Sequence, residues 1–287
     1  MRVNDLAQFI VEREHVRENK HSGARKPWTN DPILQHYRFC NVHREHDTVT
    51  QYIETLWRHP YRADEDLWFL MAVARWVNWP GTLHELDIRG AVTAGVASHK
   101  ISWNPRLFIK ILKERAQKGE KVWTGAYMIG TQGNAKDKPI FIAEDVLTPL
   151  WENRKHLRPR KTDLLEDFAQ RIIAVKNQGK FMVGQIVADL KYAQLLTAED
   201  WMTFAVSGPG SRRGLNRVVE RDKDAPWKEK EWKDTLLDLQ TQVNRKIERT
   251  VGPLHAQDLQ NCLCEFDKYE RVRLGEGRPR SLYPGVS

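Results

Sequence analysis

Apolar residues recur at three- and four-residue intervals through most of this chain, the spacing that aligns side chains on one face of an α-helix. Val49, Tyr52, Ile53, Leu56 and Trp57 form one such stripe, with Asp47 placed to cap it. Leu67, Leu70, Met71, Ala74 and Val77 form a second, which Pro80 and Gly81 are expected to end. Asn104 followed by Pro105 reads as an N-cap with proline in the first helical position, ahead of Leu107, Phe108, Ile111 and Leu112. Further stripes run through Leu164, Leu165, Phe168, Ile172 and Ile173, and through Met182, Val183, Ile186, Val187 and Leu190. Thr197 to Asp200 fits a capping box for a short helix. Leu236, Leu239, Val243 and Ile247 predict a later helix, and a last one begins near Leu254. The fold class is therefore mainly α.

One stretch departs from this periodicity. From Lys121 to Ile142, β-branched and aromatic residues flank Gly130, Gly133 and Asn134, a pattern that suits a small β-hairpin with a flexible tip. The Gly-x4-Gly-Lys-Ser/Thr spacing of a nucleotide-binding P-loop occurs nowhere, so ATP binding of that kind is excluded. No internal repeat divides the chain. The basic run from Arg154 to Lys161 is the best hinge between an N-terminal helical lobe, 1–153, and a C-terminal one, 162–287. It reads equally well as a solvated loop or a strip for DNA phosphates, and the two lobes could be one integrated domain.

Composition narrows the partners. The chain has 287 residues, 40% of them hydrophobic, enough for a real core, and a formal net charge of +8, which favours a polyanionic partner. Eleven tryptophans are available both to fill the core and to stack on bases. Of Cys40, Cys262 and Cys264, the last two are too closely spaced for a usual disulfide or zinc knuckle and no second pair completes a metal site, which points to a reducing, intracellular setting. The first residues lack the apolar run of a signal peptide, and no segment has the length of a membrane span, so a soluble protein is expected.

Two segments carry candidate chemistry. Ser207 to Gly214 is a glycine-rich basic turn that runs into a helical stretch. Gly208, Gly210 and Ser211 could bring backbone N–H groups to a phosphate, with Arg212, Arg213 and Arg217 adding charge. The turn resembles the helix-hairpin-helix element of DNA-repair glycosylases, although it also suits an ordinary helix–helix connection. In the last helix, Leu259, Cys262, Leu263 and Phe266 form the apolar face. Asp258, Asn261, Glu265 and Lys268 line the adjacent stripe, and Cys264, Asp267 and Arg271 the next. Taken alone, these could be the ion pairs of a solvated helix surface. Equally, they could supply a proton acceptor beside cations for a phosphate.

A third segment, Pro27 to Val42, interleaves aromatic, amide and arginine residues with little periodicity before Leu34. With Gly208–Arg217 and Leu263–Tyr269, it makes the chain resemble the alpha-glutamyl/putrescinyl thymine pyrophosphorylase family over roughly residues 10–285. That family is related to the helical domain of phage 5-hydroxymethyluracil DNA kinases. The resemblance implies a DNA-glycosylase-like helical fold and a bacteriophage enzyme working in the host cytoplasm. Its substrate would be double-stranded phage DNA in which a separate kinase has converted 5-hydroxymethyluracil to its pyrophosphate ester. An amine, an amino acid or a polyamine such as putrescine, would replace the pyrophosphate after the base is flipped. On this reading Asp267 or Glu265 takes the amine proton, with Lys268 beside them. Arg38, Arg212, Arg213, Arg217 and Arg271, with Gly208, Gly210 and Ser211, meet pyrophosphate or DNA phosphates. Tyr37, Asn41, Asp258 and Asn261 line the base pocket.

No cofactor is required, and a divalent metal on the pyrophosphate stays open. His43-x-x-His46, with Glu45 and Asp47, suits a polar patch better than a metal site. Attack at C6 of the base by Cys40 or Cys264 is a less favoured route than direct substitution or unassisted elimination. Trp79 and Trp103 are candidate wedges for the flipped base, and Asp64, Glu65 and Asp66 could attract a cationic donor. Two other classes compete: a glycosylase that excises a modified base, and a non-catalytic DNA-binding partner of the kinase. Asp222, Asp224, Asp234 and Asp238 sit poorly for the first, and the ionisable cluster has no purpose in the second.

Overall fold

The computed structural model describes residues 1–95, 98, 100–125, 129–131, 133–279, 282 and 283. In chain order its helices are α1 (Val3–His21), α2 (Pro32–His36), α3 (Thr48–Ile53), α4 (Leu67–Val77), α5 (Pro80–Ile88) and α6 (Pro105–Gln117). They continue with α7 (Lys138–Ile140), α8 (Thr148–Glu152), α9 (Arg154–Leu157), α10 (Leu165–Ile173) and α11 (Lys180–Leu190). Last come α12 (Pro209–Val218), α13 (Glu229–Ile247) and α14 (Ala256–Arg273). π-helical turns continue α3 over Glu54–Arg58 and join α7 to α8 over Phe141–Leu147. Among the described residues β-structure is limited to two isolated bridges, Tyr37 with Leu282 and Thr93 with Ile101. The mainly α reading holds. The hairpin expected over Lys121–Ile142 does not form in its described part, where Pro139 occupies the first turn of α7 and residues 138–142 are helical. Residues 126–128 and 132 of that stretch lie outside the described set.

The chain forms two compact units, one made of Met1–Asp47 with Met202–Ser287 and the other of Thr48–Trp201. They are not the consecutive lobes 1–153 and 162–287, because α1 belongs with the last two helices. Val3, Leu6, Phe9 and Ile10 of α1 share one buried cluster with Leu236, Leu239, Val243 and Ile247 of α13 and Leu259, Leu263 and Phe266 of α14. Burying that face is what draws the two ends of the chain into one unit.

The other unit is built on α4, whose eleven residues are all buried. A helix apolar on every side belongs at a core. It ends at Asn78 in the left-handed region (φ 52°), and Pro80 opens α5 instead of merely stopping α4. Arg75 on α4 is held by Asp189, Asn78 and Thr50, so its buried charge is fully partnered. The basic run 154–161 is not a hinge but an internal tie of this unit. Arg158 clamps Asp66 at 2.8 and 2.9 Å and also contacts Glu65, while Arg154 Nε lies 3.3 Å from Asp66. Asp64, the third carboxylate considered for a cationic donor, accepts the backbone N–H groups of Asp66 and Ile101. The helix expected at Thr197–Asp200 does not form. Asp200 instead caps α10, accepting from the N–H groups of Leu165 (2.7 Å) and Glu166 (3.0 Å). Trp103 donates to Thr148 Oγ1 at 2.9 Å and packs on Phe69 and Phe108, so it is tied into the core rather than free to act as a wedge.

Candidate functional site

All three sequence segments singled out above meet on α14, inside the unit made by the chain ends. The geometry begins with α12. Gly210 and Gly214 lie one turn apart on its α14-facing side, and Arg213 and Arg217 lie one turn apart beside them. A Cβ on Gly214 would sit 2.0 Å from the Leu263 carbonyl oxygen, and one on Gly210 would sit 2.4 Å from Cys264 Sγ. The two glycines thus let the helix backbones touch. That contact brings the neighbouring arginines within reach of α14.

What they reach is Asp267. Arg217 Nε donates to Oδ1 at 2.8 Å, Arg213 Nε donates to Oδ2 at 3.0 Å, and Arg271 Nε lies 3.5 Å from Oδ2. Asp267 is 1% exposed and Arg217 6%, whereas Arg213 and Arg271 keep about a third of their side chains in solvent. Burial works against the Arg217 charge, but hydrogen bonds to Glu276 and Asp267 outweigh it and hold the guanidinium above its ordinary pKa. Three guanidinium groups meet two carboxylates, so the cluster is net positive and its exposed side is cationic.

Glu265 and Lys268, one turn apart on an adjacent face of α14, form the second centre. Lys268 Nζ lies 2.5 Å from Glu265 Oε1, and the other carboxylate oxygen accepts the Cys40 N–H at 3.2 Å. Burial lowers the Lys268 pKa, but the charge of Glu265 and its hydrogen bond outweigh it and keep Lys268 an ammonium at neutral pH. The charge of Glu265 also raises the Cys40 thiol, and burial raises Cys264. Neither sulfur is therefore poised as a resting thiolate.

The 37–46 segment lies over α14 because both helices beneath it offer donors and acceptors. Arg13 on α1 donates to the carbonyls of Cys40 and Asn41, and Asn261 donates to the Asn41 carbonyl at 3.3 Å. Asp258 accepts the Arg44 N–H at 3.1 Å, and its other oxygen lies 3.6 Å from His43 Nδ1 and 3.1 Å from His255 Nε2. Asn41, Asp258 and Asn261 are thus brought together, but as braces of this segment. Tyr37 pairs through its backbone with Leu282, and Arg38 is exposed beside it.

The structure gives other members of the glycine-rich turn packing roles. Gly208 N–H donates to Ser211 Oγ at 3.0 Å, and Ser211 Oγ donates back to the Gly208 carbonyl, closing the start of α12. Ser211 is fully buried, and Gly210 lies against Cys264. Arg212 is held by Ser207, the Trp227 carbonyl and Glu229, outside the Asp267 cluster. Arg13, His255 and Glu276 escaped the sequence reading, which placed His43 only in a polar patch. Only Arg13 left a signal: it continues the Leu6, Phe9, Ile10 stripe at helical spacing, where a cation needs buried acceptors.

His43 makes the bracing pH-dependent. Its hydrogen bond to Asp258 raises its pKa above the ordinary 6.5, burial opposes this, and Nε2 meets the Val251 carbonyl at 3.0 Å. Folding favours the protonated ring. This stability is therefore fully present below the unfolded pKa and is lost as pH rises through the elevated folded one. The stability gap between wild type and His43→Gln, read from urea midpoints, should be largest in mild acid and shrink above neutrality. His46, lowered mainly by burial, acts in the opposite sense and is common to both proteins. A gap that ignores pH would rule this linkage out.

Among the described residues no helix is long and apolar enough to cross a membrane, and no three metal-binding side chains converge. No solved structure matches the chain. The "5-hmdU DNA kinase" of Bacillus phage SP10 is 23% identical over 233 residues, covering 74% of this chain. The match takes in 35% of the phage protein, so the chain spans about a third of the length of that relative. The family model described as "5-hmdU DNA kinase, helical domain" matches residues 1–278, almost everything the two units contain, and the chain belongs to that family of helical domains.

Proposed function

We propose that this chain is a phage DNA-hypermodification transferase that replaces the pyrophosphate of 5-hydroxymethyluracil pyrophosphate in DNA with an amine. The observation that carries the reading is the convergence on α14 of a cationic cluster and a carboxylate–ammonium pair. The membership of the kinase-associated helical family supports the choice of base, and the phage relative supports the setting. A glycosylase-like helical body would bind the duplex and present the base extruded from the stack. Coupling to a separate DNA kinase follows, since a kinase must supply the activated ester.

In the proposed step the bond from the C5 methylene to the pyrophosphate oxygen breaks and a carbon–nitrogen bond forms. Pyrophosphate leaves with its charge met by Arg213, Arg271 and Lys268, the cations with solvent access. The amine proton passes to Glu265, whose carboxylate is freed when Lys268 turns toward the leaving group. Asp267 serves as the anchor that holds the arginines in place. Elevated thiol pKa values favour routes that form no bond between sulfur and C6.

The test is a reaction of the purified chain with DNA carrying 5-hydroxymethyluracil pyrophosphate and a pool of amino acids and polyamines, followed by nucleoside mass spectrometry. A nucleoside bearing one amine, with pyrophosphate released, is expected. Glu265→Gln should lower turnover by about 100-fold while DNA binding persists. Abasic sites would identify a glycosylase instead. Bound but unchanged DNA would leave a recruitment module.

A further inference from the structure

The Thr48–Trp201 unit carries two tryptophans whose surroundings differ from those of the core. Trp79 precedes α5 in an extended conformation, half-buried, and Trp123 is half-buried on the segment that follows α6. That segment runs along the corner between α4 and α5. Thr124 N–H donates to the Val77 carbonyl at 3.3 Å, Thr82 Oγ1 donates to the Val122 carbonyl at 2.9 Å, and Arg115 donates to the Lys121 carbonyl at 3.2 Å. Both indoles therefore sit at one corner of the unit. Gly81 is exposed beside Trp79.

Each ring has a lysine on its face. Lys121 Nζ lies 3.8 Å from the Trp79 ring centre, and Lys138 Nζ lies 4.2 Å from that of Trp123. Two arginine–tryptophan pairs in the molecule have carboxylates close by: Arg154 over Trp151 meets Asp66, and Arg221 over Trp227 meets Glu231. Among the described residues no carboxylate lies within ion-pairing distance of Lys121 or Lys138. Burial also disfavours the Lys138 charge, an ammonium that would gain from an anion.

We propose that Trp79 and Trp123, with Lys121 and Lys138, form a stacking site for unpaired DNA bases, separate in sequence from the α14 cluster. Stacking of a base on an indole exceeds an exposed cation–π contact such as that of Lys121, so a base displaces this lysine from the ring. The released ammonium then neutralises a phosphate of the same strand. The proposal rests on the DNA-modifying reading above and adds a function to it: holding unpaired bases of the DNA substrate.

The test is fluorescence anisotropy with a single-stranded oligonucleotide and a matched duplex, using the full chain. Trp79→Ala and Trp123→Ala should each weaken single-strand binding by about tenfold. Trp79→Phe and Trp123→Phe, which retain a stacking face, should keep most of it. Lys121→Gln should reduce the salt dependence of single-strand binding by a slope of roughly 0.7, one phosphate contact. Thermal melts of the variants check that the fold is kept. Wild-type affinity in a stably folded double Trp→Ala variant would overturn this site while leaving the proposed transferase intact. A wild-type chain that binds neither oligonucleotide would overturn both.

Discussion

Gly214→Ala should destabilise the unit made by the chain ends by roughly 3 kcal/mol, toward the upper end of overpacking costs. Helix propensity alone predicts the opposite sign, since alanine in a helix interior is favoured over glycine by about 1 kcal/mol. Packing wins because the added Cβ would lie 2.0 Å from the Leu263 carbonyl oxygen, a backbone atom with no rotamer to change. The two helices can accept it only by moving apart, which also pulls Arg213 and Arg217 away from Asp267. Gly210→Ala is the informative companion. There the obstacle is Cys264 Sγ at 2.4 Å, the end of a side chain. In a Cys264→Ala background, Gly210→Ala should be neutral to within about 1 kcal/mol, whereas Gly214→Ala should stay costly. Urea unfolding of the four variants decides the matter. Equal rescue of both glycine variants would show that the helix contact is looser than the structure indicates.

Asp267→Asn should cost about 3 kcal/mol, because it leaves the buried Arg217 guanidinium with Glu276 as its remaining carboxylate partner and loosens two more arginines. Arg217→Gln should cost less, and Arg213→Gln less than about 1 kcal/mol, since its charge is one-third exposed. The double variant Asp267→Asn with Arg217→Gln should be more stable than the sum of the single losses predicts, because it removes both members of one buried ion pair. Strict additivity would contradict a shared buried network. The same series separates two roles in the proposed reaction. An anchor of the cationic cluster loses stability and pyrophosphate affinity together when its charge is removed. Lost turnover at full stability would return Asp267 to the role of proton acceptor.

The helical stripes were legible because periodicity is local. Leu67 to Val77, Leu236 to Ile247 and Leu259 to Phe266 each report their own buried face at spacings of three and four. Long-range partners left little trace. Local spacing assigns Asp200 to a helix of its own, yet its carboxylate caps α10 from 34 and 35 residues away. Arg154 and Arg158 looked like a free basic strip until the loop at Glu65 and Asp66 arrived beside them. The helix α1 went unread, because its buried side carries Arg13 and Glu14 as well as Leu6 and Ile10. A charge on a buried stripe makes sense only once its partners are known.

By itself the sequence determined the helical class, the segments that matter and the positive balance of charge, all properties of residue type and local spacing. It also contained Gly210, Arg213, Gly214 and Arg217 at intervals that set two glycines and two arginines on neighbouring faces of one helix. Only the tertiary structure decided that those glycines hold a helix contact rather than a phosphate, and that Asp267 gathers three arginines instead of standing free. The reason is distance along the chain. Arg217 and Asp267 are fifty residues apart, and the buried area that joins α1, α12, α13 and α14 brings them within 2.8 Å.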